Sequence, residues 1–294
     1  MNYTVIAIIY NPNSTGDGEK LAKGLASALR TTLPHQKVQL MTTDHAGHGE
    51  EIAYDIAKQS KQPLIISASG DGGYNDVVNG AMRALHEGFQ PTTGLLPAGN
   101  ANDHYRNLHT ADIVEQIARG TTQKIDVLRL QGVSKGQSIT RYAHSYIGFG
   151  LTPTVGKALN KTKLTPITEL FTVARSLFSA RPVRLIIDGT AQDYDSIVCS
   201  NIDQMSKYLN ISTPSSTTDG IFEVTIFKRQ HKLRLIAQLL KSTLINAQED
   251  RQTRSFSLTT TRQTLVQMDG EIVALDAHTK IDITIERQAL NCVV

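Results

Sequence analysis

The chain has 294 residues, of which 40% are hydrophobic and 19% are charged, and its formal net charge is +3. These values are typical of a soluble globular protein of one large or two ordinary domains. Residues 1–125 carry 10 lysines and arginines against 12 acids, so this half offers no general basic surface for nucleic acid. The remaining residues carry 20 against 15, which favours an anionic partner such as a membrane surface.

The N-terminus and the cysteines predict a cytoplasmic protein. The first apolar run has no basic segment before it and ends at Asn11-Pro12, so it does not resemble a signal peptide. No apolar run approaches the roughly 20 residues of a membrane-spanning helix. The only two cysteines, Cys199 and Cys292, are not spaced as metal ligands, and we expect buried thiols in a reducing compartment.

The first 125 residues alternate between apolar strands and amphipathic helices. The predicted elements are strands at Thr4–Tyr10, Lys37–Thr43, Pro63–Ser69 and Thr93–Pro97, and helices at Glu19–Thr32, after His48, and at Asp76–Gly88. Continuous apolar strands separated by helices predict a doubly wound α/β domain with a parallel sheet. Ligands of such sheets bind beyond the carboxyl ends of the strands.

The pattern changes near Lys124. From there, segments alternate between polar and apolar residues with a period of two, as in KIDVLRL, VRLIIDG, GIFEVTIFK and TKIDITIER. This pattern predicts an antiparallel β domain, which we expect to be a sandwich. Two helical insertions are predicted within it, at Val155–Ser179 and Lys232–Asn246.

Three turns of the first half fall at predicted strand ends. NPNSTGDG (Asn11–Gly18) offers amides and hydroxyls to a phosphate, but it lacks the lysine of a P-loop, and an ordinary turn is the alternative. SGDGG (Ser69–Gly73) surrounds Asp71 with glycines that permit close backbone approach. A carboxylate there would repel the phosphate that the amides attract. LLPAGNAND (Leu95–Asp103) again combines amides with an acid.

These turns resemble motifs of the diacylglycerol kinase/sphingosine kinase catalytic family, especially its bacterial soluble lipid kinases. The family patterns are roughly NPxSG, [GS]GDGTxNEVxNG and PxGTxNDFAR, and the chain has NPNSTG, SGDGGYNDVVNG and LPAGNAND in that order. YIGFG, RPVRLIIDG, PSSTTDGIFEV and QMDGE continue the family's order. The resemblance therefore covers essentially the whole chain.

The resemblance implies ATP-dependent phosphorylation of a lipid hydroxyl by a two-domain enzyme of lipid metabolism. It implies a catalytic domain at residues 1–125, joined again by about residues 288–294, and a lipid-substrate β-sandwich at residues 126–287. It implies a nucleotide between the domains, with Asp71 acting on the phosphates through Mg²⁺, which turns the repulsion into attraction. The implied nucleotide contacts are Asn11, Pro12, Asn13, Ser14, Thr15, Thr43, Gly70, Asp71, Gly72, Gly73, Tyr74, Asn75, Asp76, Asn100 and Asp103.

Two Asp-Gly turns of the second half each have two interpretations. Asp269-Gly270 indicates a hairpin, and the resemblance makes Glu271 the proton acceptor, with Asp269 orienting the substrate hydroxyl or binding metal. The turn at Asp219 resembles the family's structural Mg²⁺ turn. There the Asp219 carboxylate would bind the ion together with the carbonyls of Ser216 and Ile221. A plain turn remains the alternative.

The chain departs from the family pattern at several positions, which bear on nucleotide contacts and rate more than on the fold. Gly73 replaces the usual Thr, Asp76 the usual Glu, and Asn100 the Thr of GTxND. These changes keep open a catalytically weak lipid- or nucleotide-binding regulator. An NAD kinase, which shares a related glycine-rich turn, is the other alternative. Asn75 and the NPNSTG turn favour the lipid kinase.

Two further features concern partners. His45 and His48 form a candidate metal pair, with a solvated loop as the alternative. Residues Val155–Arg184 hold six basic residues against one acid. An amphipathic helix packed on the sandwich is the first interpretation of this segment, and docking on an anionic membrane is the alternative. We therefore expect peripheral attachment at the cytoplasmic face and a lipid substrate, while a homodimer and the identity of the lipid stay open.

Overall fold

A computed structural model describes residues 3–14, 16–99, 102–108, 112–153, 181–202, 204–205, 209–210, 216–229 and 249–294. The chain divides into two compact units. Unit 1 comprises Met1–Asp126 and Gln288–Val294, and unit 2 comprises Val127–Arg287. The predicted helical insertions at Val155–Ser179 and Lys232–Asn246 lie outside the described residues.

Unit 1 is a parallel sheet flanked by helices. Its elements are β1 (Val5–Tyr10), α1 (Gly18–Thr32), β2 (Val38–Thr42), α2 (His48–Gln59), β3 (Pro63–Ser69), α3 (Asp71–His86), β4 (Thr92–Pro97), α4 (Asp103–Leu108) and α5 (Ile113–Arg119). The strand order is β2-β1-β3-β4, and Asn291 and Cys292 near the C-terminus pair in parallel with the start of β4. The sheet therefore reverses its order between β1 and β3, as in doubly wound folds.

The core of unit 1 follows from its apolar strands. Every residue of β1 is buried, because helices cover a parallel sheet on its faces. The buried face of α1 repeats at helical spacing through Ala22, Leu25, Ala26 and Leu29. These side chains pack with Ile6, Ile8, Leu64 and Ile66 in one cluster.

Unit 2 is built from antiparallel strands. The chain enters it within β5 (Thr122–Ser134) and continues through β6 (Gln137–Ala143), β7 (Tyr146–Gly150), β8 (Val183–Ile187), β9 (Thr190–Ser200), β10 (Gln204–Met205), β11 (Leu209–Asn210), β12 (Phe222–Lys228), β13 (Glu249–Thr253), β14 (Ser255–Thr260), β15 (Thr264–Met268), β16 (Glu271–Leu275) and β17 (Lys280–Val293). Pairings run β16-β15-β7-β9-β8-β14-β17. The predicted combination of an α/β and a β-rich region is confirmed.

The core of unit 2 shows the expected alternation. In β8, Val183, Leu185 and Ile187 point inward while Arg184 is exposed. They join Phe149 and Phe222 in a single buried cluster. Alternation of this kind places one face of each strand in the core and the other in solvent.

The main difference from the predicted elements lies at the glycine-rich turn. The sequence predicted a helix from Asp76, but α3 begins at Asp71, so Gly72 and Gly73 belong to its first turn. The helix tolerates these glycines because its next turns are buried, and an acid at its start interacts favourably with the helix dipole. The short helices α4 and α5 were not predicted. Among the residues that the structure describes, no helix is both long and apolar enough to span a membrane.

Candidate active site

Three turns of unit 1 meet beyond the carboxyl ends of β1, β3 and β4. A Cβ built on Gly70 would lie 3.1 Å from the Cα of Gly99, and one built on Gly16 would contact the carbonyl oxygen of Ala98. The turns after β1 and β3 therefore both approach the turn after β4 backbone to backbone, which only residues without a side chain allow. The sequence predicted these turns at the same edge, and the structure brings them into contact.

Asp71 connects two of these turns. It is the first residue of α3, after Gly70 in extended conformation, and its Oδ1 accepts a hydrogen bond of 3.2 Å from the main-chain N–H of His104. Its side chain is half-buried. A carboxylate of this exposure beside main-chain amides offers the hard oxygen ligand that Mg²⁺ prefers.

The turn after β4 is held by its own polar side chains. Asn102 lies in the left-handed region at φ 51°, accepts from the N–H of Gly99 and donates to its carbonyl, at 3.0 and 2.9 Å. Asp103, which was predicted to line the site, is buried and forms an ion pair with Arg106. The predicted contact Asn100 lies outside the described residues, as does Thr15.

The predicted nucleotide residues Tyr74 and Asn75 are fully buried. The Tyr74 hydroxyl lies 3.0 Å from Thr93 Oγ1 and 3.3 Å from Cys292 Sγ, so it ties α3 to β4 and to the last strand. Neither residue reaches the protein surface, so a nucleotide contact at these two positions stays a prediction. Asp76 packs against Gly49 at the start of α2, where a Cβ would lie 3.1 Å from that of Asp76.

Ser69 explains the glycine at position 73. A Cβ on Gly73 would lie 2.6 Å from Ser69 Oγ, closer than side chains pack. The Ser69 hydroxyl donates to the carbonyl of Gly70 at 2.9 Å and lies 2.7 Å from Ser67 Oγ. Ser69 therefore occupies the space that a larger residue at position 73 would need. The sequence showed the departure at Gly73, but only the structure links it to Ser69.

The turn after β1 is shaped by Asn11. Its Oδ1 accepts from the N–H of Asn13 at 2.8 Å, and its carbonyl accepts from the N–H of Ser14 at 3.2 Å. Asn11, Pro12, Asn13 and Ser14 are all exposed. Thr43 joins the same edge, because its N–H donates to the carbonyl of Tyr10 at 3.0 Å. These residues are available to a ligand at the edge of the sheet.

In unit 2, the predicted hairpin joins β15 to β16 through Asp269 and Gly270, both at positive φ. Asp269 is fully buried. Its two oxygens accept from three consecutive main-chain N–H groups, those of His144 at 2.5 Å, Ser145 at 3.1 Å and Tyr146 at 2.9 Å. These contacts describe an anchor for the hairpin and were not foreseen from the sequence.

Glu271 is the first residue of β16 and its side chain is 28% exposed. Its Oε2 lies 2.7 Å from Nη2 of Arg141 in β6. Asp269 and Glu271 are two residues apart and differ in environment. The carboxylate of Asp269 is enclosed in protein, whereas that of Glu271 reaches the surface.

The predicted magnesium turn is ordered by its own side chains. The N–H of Ile221 donates to Asp219 Oδ1 at 3.1 Å, and Ser216 Oγ lies 3.1 Å from Thr218 Oγ1. Gly220 has φ +75° and the guanidinium of Arg287 lies against it. An Asp turn of this form is stable without a metal. The nearby positive charge of Arg287 does not favour binding of a metal cation there. The metal role of Asp219 stays a prediction.

His45 and His48 also lie together, with their rings stacked 4.6 Å apart. One nitrogen of each ring and one Glu51 oxygen all lie within 4.8 Å of one another. Nδ1 of His48 accepts from the N–H of Asp44 at 3.0 Å, so the neutral ring carries its proton on Nε2. The hydrogen bond from Asp44 therefore already occupies one of the ring nitrogens that could bind a metal, and the metal role of this pair stays a prediction.

The three turns that meet beyond the strand ends of unit 1 form a candidate phosphate-binding site in a doubly wound unit. Residues 5–130 match the diacylglycerol kinase catalytic domain. A diacylglycerol kinase of Bacillus subtilis is 27% identical over 284 residues, which cover 90% of this chain and 88% of that one. One of Staphylococcus epidermidis is 32% identical over 126 residues, covering 41% of this chain and 38% of that one.

The structure of the chain also resembles solved structures of diacylglycerol kinases. The crystal structure of a diacylglycerol kinase from Bacillus anthracis superposes with a TM-score of 0.71 at 17% identity, covering 100% of this chain and 97% of that one. The match to the diacylglycerol kinase catalytic domain at residues 5–130 confirms the resemblance drawn from the motifs. The chain is an enzyme of the lipid kinase class.

Proposed function

We propose that this lipid kinase uses ATP and Mg²⁺ to phosphorylate the hydroxyl of a diacylglycerol-like lipid. The observation that carries the proposal is the meeting of three turns around Asp71, where Gly70 and Gly99 approach backbone to backbone. Main-chain amides of such turns, together with the N-terminus of α3, bind phosphate groups well. The names of the relatives favour diacylglycerol among lipid alcohols.

Asp71 would hold the magnesium ion, and the residues around it would orient the nucleotide. When bound, the ion neutralises negative charge on the phosphates and on the phosphoryl group in transfer. The hydrogen bond from His104 fixes the orientation of the Asp71 carboxylate. The exposed residues Asn11 to Ser14 and the half-buried Thr43 would contact the nucleotide.

Glu271 would accept the proton of the lipid hydroxyl. Removing that proton needs a carboxylate held at the right place more than one of high basicity. Glu271 supports this role because its side chain is 28% exposed, so its carboxylate can reach a substrate.

The test is transfer of radiolabelled phosphate from ATP to a total lipid extract in detergent micelles, with identification of the labelled product. We expect one labelled lipid, no labelling when EDTA removes Mg²⁺, and loss of labelling in Asp71→Asn and Glu271→Gln. Asp55→Asn is the matched control, since Asp55 is an exposed acid in α2 of the same unit as Asp71. Labelling of NAD but of no lipid, or full activity of both site variants, would refute the proposal.

We further propose that the enzyme acts at the cytoplasmic membrane face by peripheral attachment. The excess of basic residues in residues 126–294 supports attraction to anionic lipids. Binding to phosphatidylglycerol vesicles should weaken as salt rises, since exposed charges are screened beyond about 8 Å at physiological ionic strength. Equal binding to neutral phosphatidylcholine vesicles would contradict this attachment.

A further inference from the structure

The six residues 141–146 hold the hairpin that carries Glu271 at two points. Arg141 pairs with the Glu271 carboxylate, and the N–H groups of His144 to Tyr146 bind Asp269. The carbonyl of Tyr146 also accepts from the N–H of Asp269 at 3.3 Å. One continuous segment, which ends β6 and begins β7, therefore fixes both carboxylates of the hairpin.

The two points act on different parts of the hairpin. The bonds to Asp269 are main-chain contacts of the segment, and they set where the backbone of the turn lies. They do not set the side-chain rotamer of Glu271, which has three rotatable bonds and whose carboxylate is partly exposed. A further contact to that carboxylate is needed to fix it.

We propose that Arg141 is a positioning residue that holds the carboxylate of Glu271 in the orientation for accepting the proton of the substrate hydroxyl. This inference rests on the proposed role of Glu271. Nη2 of Arg141 lies 2.7 Å from Oε2, and the Arg141 side chain is only 19% exposed. A charge-assisted bond of this length at reduced exposure is stronger than a surface ion pair. A carboxylate has about four lone-pair sites, so one arginine bond leaves it able to accept further hydrogen bonds.

Arg141 itself is fixed by the sheet. It pairs with Leu130 in the antiparallel ladder of β5 and β6, so its Cα cannot drift without breaking main-chain hydrogen bonds. The neighbouring strand offers a matched pair of the same kind, because Arg129 in β5 contacts Glu286 at 3.1 Å with 31% and 16% side-chain exposure. Arg129→Ala therefore removes a similar ion pair from the same unit without touching Glu271.

The experiment measures kcat and the KM for ATP with total lipid extract in detergent micelles. We expect Arg141→Ala to lower kcat about 10- to 100-fold, since small displacements of a reacting group cost up to about 100-fold, and to leave the KM for ATP unchanged. Arg141→Lys should recover part of the rate, because an ammonium keeps the charge but not the planar fork. Arg129→Ala should retain the wild-type rate. If Arg141→Ala does not fold, the comparison of Arg141→Lys with Arg141→Met replaces it.

A double-mutant cycle tests whether Arg141 acts through Glu271. The rate in the Glu271→Gln background is the residual labelling measured over long incubation at high enzyme concentration. We expect Arg141→Ala to have no further effect on that residual kcat, because the group that it positions is already lost. An Arg141→Ala variant as active as wild type, or one that lowers the rate equally in both backgrounds, would overturn the inference while Glu271 keeps its role. An active Glu271→Gln variant would instead overturn the proposed acceptor, and the inference with it.

Discussion

Replacing Asp269 with asparagine should destabilise unit 2 by about 3–5 kcal/mol. In the native chain both oxygens are acceptors, and they take hydrogen bonds from the N–H groups of His144, Ser145 and Tyr146. Asparagine turns one oxygen into an amide nitrogen that can only donate, so at least one buried N–H group loses its acceptor. A bond to a charged group contributes about 1.5–3 kcal/mol, and a buried donor left without a partner costs about 1–3 kcal/mol.

Thermal unfolding monitored by circular dichroism or calorimetry measures this loss. A unit of 150–250 residues changes its Tm by about 2–4 °C per kcal/mol, so we expect the transition of unit 2 to fall by about 10 °C. Asp276→Asn is the matched control. Asp276 accepts from the N–H groups of Lys135 and Gly136 at 2.9 and 2.6 Å but is half-exposed, so water can replace the lost acceptor and the effect should be smaller. Unchanged stability of Asp269→Asn together with loss of activity would refute the anchoring role.

Three further predictions concern positions that are tightly enclosed by the fold. Gly73→Thr should raise the KM for ATP about tenfold, because the new Cβ would lie 2.6 Å from Ser69 Oγ. Adding Ser69→Gly should restore the wild-type KM. A double variant whose KM stays high would contradict the link between positions 69 and 73. Gly99→Ala should lower activity more than tenfold, since its Cβ would run into the turn after β3, whereas Gly24→Ala, which has nothing within 4 Å, should not. Burial raises the pKa of the Cys292 thiol to about 11, so at pH 8 it stays protonated, and a disulfide reagent should label it only after unfolding in urea.

The sequence predicted the elements of unit 1 closely where a single pattern governs each of them. The strand Pro63–Ser69 has the predicted bounds, and α1 begins one residue before its prediction. The start of α3 was wrong by five residues, because glycines normally end helices. Here the burial of the following helical turns outweighs the low helix propensity of Gly72 and Gly73.

The contacts that define the candidate site in unit 2 could not be predicted from local pattern. Arg141 and Glu271 are 130 residues apart, and Asp269 is 125 residues from His144. Each of these residues is unremarkable in its own segment, and the pairing depends on which strands become neighbours. The motif QMDGE identified two acids, but it did not distinguish a buried anchor from a half-exposed group.

The difference between those two acids bears on which one performs chemistry. A buried carboxylate is stable only when its hydrogen bonds are satisfied. Asp269 accepts from three main-chain N–H groups that cannot move without opening the hairpin, and Nε2 of the buried His144 ring lies 3.4 Å from its Oδ2. A general base must exchange partners during the reaction, since it gains a proton and then releases it. Glu271 is partly exposed and pairs with an arginine side chain, so it can exchange partners at lower cost. The physical environment of the two residues therefore favours Glu271 as the acceptor and Asp269 as the residue that keeps it in place.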